Sequence, residues 1–238
     1  MVRYQLIIEY VGTDFRGWQI QKKGSTIQGL IQEKLKKLLK EKIILNGSGR
    51  TDTGVHAIEQ SGHFDSKNDI LDLTKFLKSI NHFLNDKGVA IKKIRKRSNK
   101  FHSRFSAKQR IYKYIIFNQL SAPVIEKKRG WHVRKSLDLD LIKKGAKKLV
   151  GTHDYSTFRS SSCHAKSPIK TIKSVKVKSS KNKIEIEFRS QSFLQQQVRS
   201  MVGCLKYLGE KKWDLKKLEK EVINFIQDFL QSKGFINT

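Results

Sequence analysis

The sequence has few cysteines, few prolines and no long apolar run. Its two cysteines, Cys163 and Cys204, are too few for a disulfide framework, and neither belongs to a zinc-binding Cys-x-x-Cys motif. Two prolines and 15 glycines in 238 residues exclude collagen-like and low-complexity classes. No segment reaches the roughly 20 apolar residues of a membrane-spanning helix, and the N-terminus lacks a signal-peptide pattern. We therefore expect a reduced, cytoplasmic protein without membrane association or a bound metal.

Acidic residues are also scarce. The chain has 21 Asp and Glu against 50 Lys and Arg, which gives a formal net charge of +29. A surface this basic displaces counterions from phosphates and favours binding to nucleic acid. Many lysines can equally form a solvated helix face, so the charge indicates a polyanionic partner without locating a site. The 37% hydrophobic content is that of a folded chain.

Hydrophobic periodicity predicts strands and amphipathic helices in both halves of the chain. In the first half we predict strands at 4–10, 43–45, 55–64 and 89–94, helices at 26–42 and 71–84, and loops at 12–24 and 46–54. In the second half we predict strands at 110–117, 171–178 and 183–189, helices at 139–150, 193–208 and 215–229, and a polar loop at 153–162. This mixture predicts an α+β protein with helices packed on a largely antiparallel sheet. The weakly patterned stretch 98–106 predicts a division into 1–105 and 106–238.

The glycine-rich segment 47–57 is the clearest candidate for a site. It reads Gly-Ser-Gly-Arg-Thr-Asp-Thr-Gly-Val-His-Ala. The segment is not a phosphate-binding P-loop, because the required G-x-x-x-x-G-K-[ST] pattern is absent. Two interpretations remain on spacing alone. Asp52 either caps a following helix, or acts as nucleophile or base in an active-site loop with His56 nearby.

Residues 49–56 resemble the signature of the TruA-type tRNA pseudouridine synthases, which usually have Ala at the position of Thr53. Further segments resemble other parts of this family in the same order, namely 9–13, 17–19, 101–107, 110–114, 153–159 and 193–203. The similarity extends from about residue 4 to residue 209. Several motifs in the same order make the resemblance specific.

The resemblance implies a role for particular side chains. In this family the Asp of the signature is the essential catalytic carboxylate, which is Asp52 here. Tyr112 stands where the family has a tyrosine that stacks on the target base, and Arg199 is expected to pair with the carboxylate. Arg50 is expected near the backbone of the target nucleotide. We also assign RNA-binding roles to three residues: Arg104, Phe105 and His56.

The resemblance also implies the reaction and the partner. Family members have the pseudouridine synthase fold, in which two α+β halves meet over a central sheet and the active site lies in the cleft. They act as homodimers on uridines at tRNA nucleotides 38 to 40, in the anticodon stem-loop, without metal or organic cofactor. Isomerisation adds and removes no atoms, so a carboxylate suffices. It can attack C1′, attack C6 of the base, or remove the proton from C2′.

The C-terminal segment departs from the family pattern. After Gly209 the family continues through a helix into a final strand with a Pro-x-x-Gly-Leu-type lead-in. Here the predicted helix continues to residue 229 and no such lead-in follows, so we expect this strand to be missing. An alternative function is therefore a non-catalytic tRNA-binding or RNA-chaperone protein, and a third is a general basic nucleic-acid protein. The motif carboxylate favours the enzyme, because a pure binding protein needs no carboxylate in its RNA cleft.

Overall fold

The computed structural model describes residues 1–163 and 165–221. The chain divides into two compact units, residues 1–107 and 108–238, and each contains its own sheet with helices packed against it. The predicted α+β class is therefore confirmed. Within the described residues, no helix is long and apolar enough to cross a membrane.

The first unit is built on a four-stranded antiparallel sheet. Its elements are β1 (Val2–Tyr10), α1 (Ile27–Leu39), β2 (Asn46–Gly47), β3 (Ala57–Ser66), α2 (Leu73–Leu84) and β4 (Val89–Arg97). The strand order is β2-β3-β1-β4, which places the two-residue β2 at an edge. Alternate side chains of β1 are fully buried and form one core with the apolar faces of α1 and α2, as expected for a sheet covered on one face.

Side-chain caps define where the helices of the first unit begin. Thr26 accepts a hydrogen bond from the backbone N–H of Gly29, and Asp72 accepts one from that of Lys75. Such caps satisfy N–H groups that lack a partner within the helix. α1 ends at Lys40, whose φ of 55° is left-handed, so the prediction that this helix reaches residue 42 was too long.

The second unit contains a five-stranded sheet and two long helices. Its elements are β5 (Arg110–Asn118), β6 (Trp131–Val133), α3 (Leu139–Lys148), β7 (Gly151–Asp154), β8 (Ile169–Ser180), β9 (Lys183–Ser190) and α4 (Gln197–Gly209). The strand order is β6-β5-β9-β8-β7, and all neighbours are antiparallel except β5 and β6. Buried side chains of β9 form a core with α3 and α4.

Four local predictions were wrong. Ile43 and Leu45 are buried, but residues 43–45 do not form a strand, and pairing begins at Asn46. The segment 153–162 begins within β7, and its Tyr155 and Phe158 are buried, so it is not a polar loop throughout. α4 begins at Gln197 rather than at residue 193. The three-residue β6 was missed because it is too short to produce a pattern.

The predictions for the C-terminal segment lie mostly outside the described residues. Residues 215–221 are helical, as predicted, and Asp214 caps this turn by accepting from the backbone N–H of Lys217 at 2.7 Å. The rest of the predicted helix, and the segment in which the final family strand is expected to be missing, fall in residues 222–238.

Candidate active site

Asp52 lies in the loop that joins β2 to β3 in the first unit. Its side chain is half-buried, whereas Arg50, two residues earlier, is exposed. The backbone N–H of Val55 donates to the carbonyl oxygen of Asp52 at 3.2 Å and closes a turn. Residues 53–56 then run through this turn and an extended stretch directly into β3. The helix-cap interpretation of Asp52 is therefore wrong.

The start of this loop is fixed by β3. The backbone N–H of Ser48 donates to the carbonyl oxygen of Ser61 at 2.7 Å. The side-chain amide N–H of Gln60 donates to the carbonyl oxygen of Gly49 at 2.6 Å. The Ser48 hydroxyl donates to the Oε1 atom of Gln60 at 3.3 Å. These bonds continue the pairing of β2 into the loop as far as residue 49.

The middle of the loop is held by the segment that follows β1. The backbone N–H of Trp18 donates to the carbonyl oxygen of Thr51 at 3.0 Å, immediately before Asp52. The backbone N–H of Gly54, two residues after Asp52, donates to the carbonyl oxygen of Phe15 at 3.4 Å. The backbone on both sides of Asp52 is thus tied to one neighbouring segment, which restricts where its carboxylate can point.

Two glycines allow this segment to approach the loop. Gly17 has a φ of +83°, and a Cβ at this position would overlap the carbonyl oxygen of Thr51. A Cβ on Gly12 would overlap the carbonyl oxygen of Val55. Only glycine fits a backbone approach this close. The short spacing of glycines after β1 was the sequence signal for this support, and our sequence interpretation did not assign it.

Two further hydrogen bonds of side chains connect the loop to β1 and to the segment that follows it. The hydroxyl groups of Tyr10 and Thr51 lie 2.8 Å apart, and Tyr10 is almost fully buried. The Nδ1 atom of His56 accepts a hydrogen bond from the backbone N–H of Gly12 at 3.1 Å. His56 therefore has a structural contact in addition to the RNA-binding role assigned from the sequence.

Arg104 and Phe105 form part of an aromatic and cationic surface on the first unit. Phe105 is 78% exposed, and its ring centroid lies 4.4 Å from that of His102. The Arg104 guanidinium lies 5.8 Å from the same ring. An exposed ring beside a cation is suited to stacking with an unpaired base.

Tyr112 and Arg199 lie in the second unit. Tyr112 is half-buried in β5 opposite Phe188 of β9, and its ring lies nearly perpendicular to that of Phe193 at a centroid distance of 5.1 Å. Arg199 is in the first turn of α4. Burial raises the pKa of Tyr114, and the positive charge of Arg199 partly offsets this rise. Arg199 therefore lies near the strand that carries Tyr112.

Neither cysteine forms a disulfide bond, and burial raises the pKa of the Cys204 thiol to about 11. Residues 1–163 and 165–221 contain no group of three or more His, Cys, Asp or Glu side chains that could hold a metal ion.

Comparison with known families identifies the chain. A family model described as tRNA pseudouridine synthase matches residues 6–106 and 146–224. The chain belongs to the tRNA pseudouridine synthase family. This confirms the resemblance that the motifs indicated.

Individual members of the family cover most of the chain. It is 70% identical over 219 residues to tRNA pseudouridine synthase A of Pelagibacter ubique. The aligned region covers 92% of this chain and 89% of that protein. It is 40% identical to the protein of the same name from Parvibaculum lavamentivorans, with the same coverage of each chain. The Erythrobacter litoralis protein of that name is 37% identical and covers 94% of this chain and 90% of its own length.

The family match does not cover every proposed site residue equally. The matched ranges include Asp52 and its loop, the 101–106 segment and Arg199. Tyr112 lies between the two matched ranges. Its assignment rests on the Arg-Ile-Tyr-Lys-Tyr motif at 110–114 and on the position of its ring in β5.

Proposed function

We propose that this chain is a tRNA pseudouridine synthase that isomerises uridines at nucleotides 38 to 40 of the anticodon stem-loop, with Asp52 as the essential carboxylate. The observation that carries the proposal is the family match over most of the chain, which includes the signature loop. The hydrogen bonds on both sides of Asp52 support it, because a catalytic carboxylate requires a defined position.

The proposed reaction breaks the bond between N1 of uracil and C1′ of the ribose. The base rotates, a bond forms between its C5 and the same C1′, the proton on C5 leaves to solvent, and N1 takes up a proton from solvent. Atoms and electrons therefore balance without a redox or group-transfer cofactor. The Asp52 carboxylate initiates the sequence by adding to C1′, adding to C6, or removing the C2′ proton. Each of these routes requires an ionised side chain close to the nucleotide.

The other site residues would bind and orient the nucleotide. Tyr112 provides a ring for stacking on the uracil after it leaves its helix, which offsets about 1–3 kcal/mol of lost stacking. The edge contact with Phe193 restricts rotation of that ring. The resemblance assigns to Arg199 a pairing with Asp52, and to the exposed Arg50 a contact with the backbone of the target nucleotide. A neighbouring arginine favours the ionised carboxylate.

The remaining parts of the proposal concern tRNA binding and assembly. The net charge of +29 favours a large polyanion. Arg104, Phe105 and His56 contact RNA, in keeping with the exposed ring of Phe105. We also propose a cytoplasmic homodimer that needs no metal or organic cofactor. A dimer mass by light scattering at working concentration supports the assembly, and a monomer mass with full turnover contradicts it.

Mapping of pseudouridine in tRNA tests the proposed function. The purified chain is incubated with unmodified tRNA, and carbodiimide-dependent primer extension locates each pseudouridine. We expect new stops at uridines 38 to 40, and none in a tRNA with cytidine at these positions. Tight binding without any stop would favour the non-catalytic RNA-binding alternative. Stops only at other nucleotides would contradict the proposed target.

A further inference from the structure

A buried histidine of the first unit lies outside the residues that the proposed reaction uses. His63 in β3 is only 2% exposed. Its Nδ1 atom lies 2.8 Å from the hydroxyl oxygen of Ser103 and accepts a hydrogen bond from the Ser103 backbone N–H at 3.2 Å. The Ser103 hydroxyl donates to the carbonyl oxygen of Asn46 at 2.7 Å. These contacts join three segments that are far apart in sequence.

The imidazole of His63 is neutral at physiological pH. Burial, followed by the nearby His102 and Arg3, lowers its pKa to about 4, and Asp65 and the Asn46 carbonyl offset only part of this shift. Because Nδ1 accepts from the backbone N–H of Ser103, the neutral ring carries its proton on Nε2. Protonation of Nδ1 would remove its bond from the Ser103 backbone N–H, because both groups would then be donors.

The Asn46 carbonyl belongs to the strand that leads into the Asp52 loop. β2 contains only Asn46 and Gly47, which pair with His63 and Gly62 at the edge of the sheet. A two-residue edge strand has few bonds of its own, so an additional bond to its carbonyl restricts its position. Asp52 follows Gly47 by five residues.

The segment that carries Ser103 is itself held in place. Arg3 donates to the carbonyl oxygens of Asn99 and Phe101 at 2.7 and 2.6 Å. The same guanidinium forms two bonds of 2.7 Å with the Asp65 carboxylate. This bidentate pairing fixes the direction of the arginine. Ser103 is thus attached to a fixed part of the sheet.

We propose that His63 and Ser103 form an anchor that sets the position of the Asp52 loop by holding its stem. They are positioning residues, because they act on Asp52 through β2 and contact no reacting atom. The proposal rests on the proposed function for its catalytic consequence. Its structural consequence, a loop stem protected from opening, can be measured on the protein alone.

The Ser103→Ala variant tests the anchor with a small change. It removes the hydroxyl bond to Asn46 and keeps the backbone N–H that His63 accepts. The matched control is Ser66→Ala, because Ser66 is fully buried at the last residue of β3 and its hydroxyl donates to Glu41 and to the Asn68 carbonyl. Both variants lose one buried hydroxyl, and only Ser103 is bonded to the loop stem.

We expect Ser103→Ala to speed hydrogen exchange of the amides in residues 46–54 about tenfold or more. We expect kcat for pseudouridine formation to fall about 10- to 100-fold while KM for tRNA changes less than twofold, because a small misplacement of a catalytic group slows chemistry strongly. Ser66→Ala should leave the hydrogen exchange of the loop and kcat near the wild-type values. Equal effects of the two variants on loop exchange would overturn the anchor.

Two substitutions of His63 test the acceptor. His63→Asn can place an amide oxygen close to the position of Nδ1, whereas His63→Leu offers no acceptor. We expect His63→Asn to retain most of the loop protection and kcat that His63→Leu loses. We also expect His63→Leu and Ser103→Ala to be non-additive, because they interrupt the same connection. A leucine variant with wild-type exchange and wild-type kcat would refute the proposal.

Failure of this proposal can be distinguished from failure of the proposed function. A wild-type protein that forms no pseudouridine refutes the function, and the exchange comparison still decides whether the anchor exists. An active wild type whose Ser103→Ala variant exchanges and reacts normally retains the function and refutes the anchor.

Discussion

The two units hold their proposed site residues in different ways. Asp52 occupies a loop whose backbone is bonded to residues near Gly17, to β3 and, through β2, to Ser103. Tyr112 and Arg199 occupy regular elements, β5 and the first turn of α4, whose own hydrogen bonds set their backbone. Substitutions away from Asp52 should therefore disturb its position, whereas Tyr112 should be sensitive chiefly to changes in its own side chain.

The largest effect in the second unit is expected at Tyr112 itself. Tyr112→Phe keeps the ring, and kcat should fall about 100-fold if the hydroxyl relays a proton to or from the base. Tyr112→Ala also removes the stacking ring and should lower kcat/KM a further 10- to 100-fold, roughly. Single-turnover and steady-state assays separate the two losses. A fully active phenylalanine variant would show that the tyrosine is only a stacking ring.

A smaller effect is expected from Gly17, which contacts the Asp52 loop without any proposed chemical role. Gly17→Ala places a Cβ against the Thr51 carbonyl at a left-handed φ, so kcat should fall about 10- to 100-fold through displacement of the loop. Gly88→Ala is the control, because its φ is +68° and its nearest neighbour, the Val11 side chain, is 3.5 Å away. Equal kcat in both variants would show that the position of Asp52 does not depend on Gly17. It would then contradict the claim that Asp52, unlike Tyr112, is positioned by distant backbone.

A further effect, on stability rather than on turnover, is expected at acidic pH. His63 has a pKa of about 4 in the folded protein and about 6.5 when unfolded. Between these pH values His63 is protonated in the unfolded chain but not in the folded protein. The contribution of His63 to the free energy of unfolding is therefore fully present above pH 6.5 and is lost as the pH falls to 4. Its size is at most about 3 kcal/mol.

Urea unfolding of wild type and His63→Asn between pH 7 and pH 4 measures this contribution. The variant should lose less free energy of unfolding over this interval, because it lacks the titrating group. His82→Gln is the control at an exposed histidine, and its pH dependence should match the wild type. Parallel curves for all three proteins would show that His63 does not titrate as the structure indicates.

Local patterns predicted the elements that have a full period of apolar residues. α2 and α3 were located within two residues at each end, because several apolar side chains on each repeat with helical spacing and both begin at capping aspartates. β6 was missed because three residues show no periodicity. The stretch at 43–45 is apolar and buried, but strand pairing also needs a partner, which sequence alone does not reveal.

The candidate site was predictable only in part. The signature motif made Asp52 the candidate carboxylate, but it did not predict what holds the loop of Asp52. Gly17 and Ser103 are 35 and 51 residues away from Asp52 in sequence, and both contact backbone carbonyls, those of Thr51 and Asn46 respectively. Contacts with backbone carbonyls leave no pattern in the sequence, except a glycine or a small residue with a hydroxyl group at the point of contact. The helix-cap interpretation failed for the same reason, since the loop is stabilised by distant segments rather than by a following helix.

The measurement that tests the central claim most directly is a single-turnover assay of Asp52→Asn with enzyme in excess. Tritium release from C5-labelled uridine in tRNA reports the reaction, and filter binding reports tRNA affinity. Asparagine keeps the shape of the side chain but is a poor nucleophile and base. We expect no release, with tRNA affinity within about twofold of wild type or slightly higher, because one anion is lost from an RNA-binding surface. The exposed Asp86→Asn variant should react normally. Wild-type release from Asp52→Asn would contradict the assignment of Asp52 as the catalytic carboxylate.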